Sequence, residues 1–159
     1  MSLINTILSA FVTGCTLVAA ALLVGIAALG FADVVGYQLF QSGVPGALEL
    51  ASKSLGAAFF LALPLAQYRR SHVAVDIVSN LMPRIIQRAF GIFGLLASLG
   101  VFAIIGWQAI DLVEKSYLMQ ESAQGILPFA VWPFKVSVLV GTVGSAVIAL
   151  AQIFNWSEI

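Results

Sequence analysis

The sequence predicts an all-α membrane protein of four transmembrane helices with both termini cytoplasmic, and three observations predict it. Mean hydropathy is +1.06, and seven acidic plus seven basic side chains serve 159 residues, too few to clothe a surface in water. The apolar runs are continuous rather than alternating, and a backbone in hydrocarbon must satisfy its own polar groups, so helices are selected over a barrel. Finally, four of the seven Lys/Arg residues and the single histidine fall between Arg69 and Arg88. Basic side chains at span ends are retained on the cytoplasmic side.

A span needs about twenty residues to cross roughly 30 Å of hydrocarbon. Four segments meet that length, at about 7–31, 47–68, 89–110 and 131–154, within a single domain 1–159. Met1 to Ala32 carries no charge; a cleaved signal peptide would have a basic start and a shorter apolar run, so a retained first span is expected. That span ends near Asp33, with Tyr37 and Phe40 at the interface, and Gln41 to Gly46 form a turn.

The second span opens on Glu49 and Lys53, four apart with the acid first, the favourable order for a same-face pair. They form either a snorkelling ion pair at the membrane edge or a contact to a partner. Pro64 removes a backbone donor and crowds the carbonyl of Phe60, which predicts a kink. Pro83 is placed to open the third span. Asp111, Glu114, Lys115 and Glu121 mark a polar loop that leads past Gly125 and Pro128 to Phe129, Trp132 and Phe134, an aromatic belt at the mouth of the fourth span. Lys135 can snorkel outward there, and Trp156 marks the far interface.

The loop 69–88 holds four bases against Asp76, whereas the other connections hold Lys53 and Lys115 against five acids. The middle loop is therefore cytoplasmic, as are both termini. Every acid and base lies within a turn or two of a predicted helix end. A charge near the bilayer centre costs about 2.5–3.5 kcal/mol and marks an ion path, so a self-sufficient proton-coupled carrier is not expected.

The single Cys15 allows no intrachain disulfide and no cysteine metal site. One histidine cannot supply the facing pair a membrane haem commonly takes. No nucleophile stands with a partnered base, and no basic patch interleaved with aromatics suits nucleic acid. Catalytic, cofactor and metal sites are thus not predicted. A four-helix membrane enzyme or cofactor-carrying subunit remains the alternative class. In the fourth span Ser137, Gly141, Ser145 and Ala149 recur every four residues, one face where a helix can approach closely, from within the bundle or from a partner. Gly94, Ser98 and Gly106 form a weaker stripe in the third.

Val44-Pro45-Gly46-Ala47-Leu48-Glu49-Leu50, followed by Phe60 through Arg69-Arg70-Ser71-His72-Val73-Ala74-Val75-Asp76, resembles the small membrane subunit of TRAP transporters, the DctQ-like family. Glu49, Arg69, Arg70, His72, Val75 and Asp76 occupy the places of the family's acid, basic pair and His-hydrophobic-x-Val-Asp motif. Pro83, Arg84 and Arg88 resemble the start of its third helix, and Trp132-Pro133-Phe134-Lys135 its fourth. The likeness covers roughly residues 30 to 150. Two departures are Tyr37, where many members carry Arg, and Ser71, where glycine is frequent.

The resemblance implies an inner-membrane accessory subunit without enzymatic activity. Its implied partners are a large DctM-like membrane subunit that carries the sodium and substrate sites, and a periplasmic DctP-like solute-binding protein, typically for an organic acid. In that setting the chain extends the stationary scaffold. His72 and Asp76 would share a face if helical, ordering the loop or meeting a partner, while Arg69 and Arg70 can reach lipid phosphates or partner carboxylates.

Overall fold

The structure, a computed structural model, describes residues 2–69, 84–123 and 128–154, with side chains described for 5–69, 90–123 and 128–153. Four helices account for nearly all of it: α1 (Ser2–Phe40), α2 (Ala47–Tyr68), α3 (Arg84–Leu118) and α4 (Trp132–Phe154). Each is long and apolar enough to cross a membrane.

Two helices are much longer than expected. At the usual helical rise the 39 residues of α1 and the 35 of α3 extend about 58 and 52 Å, against roughly 33 Å for each of the other two. The apolar runs suggested that the first span stops near Asp33 and the third at Ile110. Instead Asp33 lies inside α1, and Asp111, Glu114 and Lys115 lie inside α3. A charged side chain does not by itself break a helix. Gly36, three residues past Asp33, stays helical, and after Asp111 neither Pro nor Gly occurs before Gly125, so the hydrogen-bond ladder continues in both helices. Each helix stops where a glutamine adopts a left-handed conformation, Gln41 at φ 54° and Gln120 at φ 48°.

The connection from α1 to α2 is held from inside α1. Asp33 Oδ1 accepts a 2.7 Å hydrogen bond from the Val44 amide, and a side chain at Gly43 would collide with that carboxylate. Gly46, at φ 74°, then turns the chain into α2, whose first bond runs from the Leu50 amide to the Gly46 carbonyl. Helix α2 runs unbroken through Pro64.

The helices form a row rather than a closed bundle. Extended contacts join α1 to α2, α2 to α4, and α4 to α3, so the short helices are central and the long ones lie at the edges. Cys15 and Ala19 of α1 pack against Ala58 and Leu61 of α2, and the small Cys15, Ala19 and Ala58 let the axes approach. Gly106 of α3 meets Thr142 and Val143 of α4.

The closest approach is between α2 and α4. A Cβ placed on Gly141 would lie 2.0 Å from the carbonyl oxygen of Phe60, the very carbonyl that loses its helical donor because residue 64 is proline. The glycine hydrogen points at that oxygen in a Cα–H···O contact of the kind found where helices touch. Three residues on, the ring of Phe11 from α1 lies over Gly144 beside Pro64. Ser145, Ile148 and Ala149 continue the buried face, and the hydroxyls of Thr142 and Ser145 bond back to Val138 and Gly141 carbonyls at 2.7 Å.

Gly141→Ala is expected to lower the thermal midpoint of the purified chain, with a cost of about 1–3 kcal/mol or more from overpacking against backbone that cannot rotate away. Gly106→Ala, whose Cβ would meet only ordinary contacts at 3.7 and 3.8 Å, is expected to be close to neutral. Equal midpoints for the two variants, read by differential scanning fluorimetry in detergent, would count against this contact.

Candidate functional site

Polar side chains collect at the two ends of the row. At the end that carries the connections, the loop between α3 and α4 is pinned to its own helices. Ser122 and Ala130 form an antiparallel bridge, the Ala123 amide bonds Phe129 at 2.9 Å, and the Val131 amide bonds Glu121 at 3.0 Å. Glu121 also pairs with Lys135 in the first turn of α4, the single ion pair among the described residues. Trp132 stacks edge-on against Tyr117, with centroids 5.9 Å apart, and Phe129 meets Phe134 at the same separation.

Glu49 and Lys53 make no ion pair with each other, although they stand four apart on α2. Lys53 is exposed and adds its positive field to that of Lys135 around Glu121. Glu49 buries one carboxylate oxygen, Oε2, without a hydrogen-bond partner. Side chains of Glu49, Lys53, Trp132 and Lys135 therefore belong to one end of the row, with Glu121 joining them.

At the other end, Gln67 is only 2 % exposed. Its side-chain amide donates to Gln152 Oε1 at 3.0 Å, while the Gln152 amide donates to the Gln67 backbone carbonyl at 2.9 Å. That carbonyl is in the last turn of α2, where the helix offers no donor, so Gln152 caps α2 from α4. Sequence reasoning passed over this pair; the available signal was an uncharged amide near the same end of two apolar runs. Arg69 closes α2 through its amide bond to Leu65 at 3.0 Å, and its side chain is exposed. Arg70, His72 and Asp76 lie outside the described residues.

Along α4, Gly141, Ser145 and Ala149 are buried and Ser137 is half-buried, and Gly141 faces α2. Among the described residues no three His, Cys, Asp or Glu side chains gather as a metal site.

The Lys135 partnership holds the Glu121 carboxyl below its ordinary range, with Ser116 and then the field of Lys53 contributing less. A carboxylate with a depressed folded pKa contributes stability that is present above the unfolded value and is lost as pH falls through the folded one. Titration of Glu121 followed by NMR is therefore expected to show a pKa below that of a free glutamate and to move up in Lys135→Met. An unchanged value in that variant would remove Lys135 as the cause.

Residues 26–158 match the family described as Tripartite ATP-independent periplasmic transporters, DctQ component. A comparison with curated proteins returns no match. With the family match covering most of the chain and four helices of membrane-spanning length, this is an inner-membrane protein that belongs to the DctQ family, a membrane component of TRAP transporters.

Proposed function

We propose that this chain is the small accessory subunit of a sodium-driven TRAP transporter for organic-acid uptake, and that it binds and stabilises a large DctM-like permease subunit as part of its stationary scaffold. A DctP-like periplasmic protein delivers the solute to the assembled complex. The observation that carries this reading is the match of residues 26–158 to a component of a tripartite system, a transporter part and not an enzyme class.

The row geometry supports a scaffold role. A single layer of helices has two broad faces and edge helices that remain largely exposed to lipid or to protein, and Leu17, Val24, Phe31 and Ile104 are each more than half exposed. Such a layer widens a neighbour to which it attaches. The charge asymmetry supports an orientation with the termini and the loop 69–88 cytoplasmic and the Glu121–Lys135 end periplasmic. In that orientation Arg69, Arg70, His72 and Asp76 act from the cytoplasmic face, through assembly or lipid contact, while Glu49 and Lys53 belong to the outer face.

Reconstitution tests the reading. Liposomes holding this chain with no other component are expected to accumulate no organic acid under a sodium gradient. Uptake is expected when the large subunit and a loaded binding protein are added. Sodium-driven uptake by the chain without them, or full uptake by the large subunit and binding protein without this chain, would overturn it.

A further inference from the structure

We propose that the outward face of α3, centred on Gln108 and Asp111, receives a transmembrane helix of the large membrane subunit that presents a basic or hydrogen-bond-donating side chain. This rests on the accessory-subunit reading above and assigns the docking face within it.

Depth sets up the problem. Tyr117 of α3 stacks on Trp132 at the start of α4, and Gly106 of α3 meets Thr142 of α4. Ten residues below Trp132 and eleven below Tyr117 put both partners about 15 Å from the aromatic level, the middle of a hydrocarbon layer of roughly 30 Å. Trp107 and Gln108 are at this depth, and Asp111 is only about 6 Å closer to the aromatic level. Gly106 looks at α4, but Trp107 is 75 % exposed and Gln108 and Asp111 are exposed with it. Ala103, Ile104, Trp107 and Gln108 line a shallow groove on this outward side.

Neither polar group is satisfied among the described residues. Gln108 has no hydrogen-bond partner and Asp111 has no ion pair among the described residues, Lys115 included. The two edge helices make an internal comparison: each carries an aspartate seven residues before its end, Asp33 in α1 and Asp111 in α3. The carboxylate of Asp33 is met by the Val44 amide at 2.7 Å, whereas that of Asp111 faces outward. Hydroxyls along α1 are also satisfied, Ser9, Thr13 and Thr16 bonding back to Thr6, Ser9 and Val12 carbonyls. The outer face of α1 suits lipid; that of α3 does not, because an amide or carboxylate without a partner in hydrocarbon costs several kcal/mol.

Charge selects the occupant. Lipid tails offer no donor at this depth. A second copy docked by two-fold symmetry would set Asp111 and Glu114 against their own images. A helix carrying a cation or a donor answers both Asp111 and Gln108, and Ile104 with Trp107 supply the apolar groove around them.

The complete transporter, expressed with its large subunit and purified through a tag on that subunit, provides the test. Recovery of the wild-type small chain is measured first; its failure overturns the accessory-subunit reading and this inference with it. A photo-crosslinking amino acid at Ile104 is then expected to give an adduct with the large subunit. Adducts only with lipid or with a second copy overturn this inference while leaving the accessory-subunit reading in place. The pair Gln108→Leu with Asp111→Leu is expected to weaken association roughly tenfold and to leave the thermal midpoint of the isolated chain unchanged or raised, since both residues face outward. Undiminished association, or a lowered midpoint that marks a role inside the fold, overturns it.

Discussion

The contact between Gly141 and the Phe60 carbonyl is the constraint on which the rest of the arrangement depends. Proline at position 64 frees one carbonyl in the middle of an apolar helix, and a buried acceptor without a partner is costly. Glycine at 141 lets α4 approach so closely that a Cα–H faces that oxygen. Water cannot perform this service in hydrocarbon, and a larger residue would keep the helices apart. Once α2 and α4 are joined there, Gly144 admits the Phe11 ring from α1, and the Gln67–Gln152 amides close the far end of the same interface. Two centrally placed short helices follow, with one long helix added on each side.

Hydrophobic effect contributes little between such helices, because lipid tails are as apolar as leucine; close packing and satisfied polar groups decide the association. This accounts for the modest side chains at the contacts, alanine, glycine, serine and cysteine, while many large apolar side chains face outward. It also separates two kinds of polar residue. Asp33, Gln67 and Gln152 stabilise the fold through bonds within the chain. Among the described residues Gln108 and Asp111 have none, and on the docking proposal their outward position makes an edge helix a surface for assembly.

Four spans and their approximate places were legible because apolar length is a strong signal and lipid imposes helices. The Arg69 to Arg88 cluster and the residues from Val44 to Asp76 carried the family, which the match over residues 26–158 then showed. Helix ends were less legible, since the signals sought were charge, glycine and proline, while α1 and α3 end on glutamines in a left-handed conformation. The helix order was not legible at all: the row α1, α2, α4, α3 depends on where Gly141 and Gly144 meet α2 and α1, a pairing that no single helix encodes. Four-residue spacing placed Glu49 beside Lys53, but Lys135 is the residue that reaches a carboxylate, from another helix, at Glu121. Part of the candidate site, Arg70, His72 and Asp76, lies outside the described residues.

An open row held at the α2–α4 contact sets the distance between its edge helices, which pulsed electron spin resonance measures. With Cys15 replaced, spin labels at Leu17 on α1 and Ile104 on α3 report the separation of the two edge helices. Three successive helix spacings of about 8–10 Å put the axes of α1 and α3 roughly 25–30 Å apart, and labels on outward faces add to that. A mean distance beyond about 30 Å is the predicted result. A closed bundle would place these axes within about 14 Å, one diagonal of a square of such spacings, and a distance distribution centred below roughly 20 Å would contradict the row.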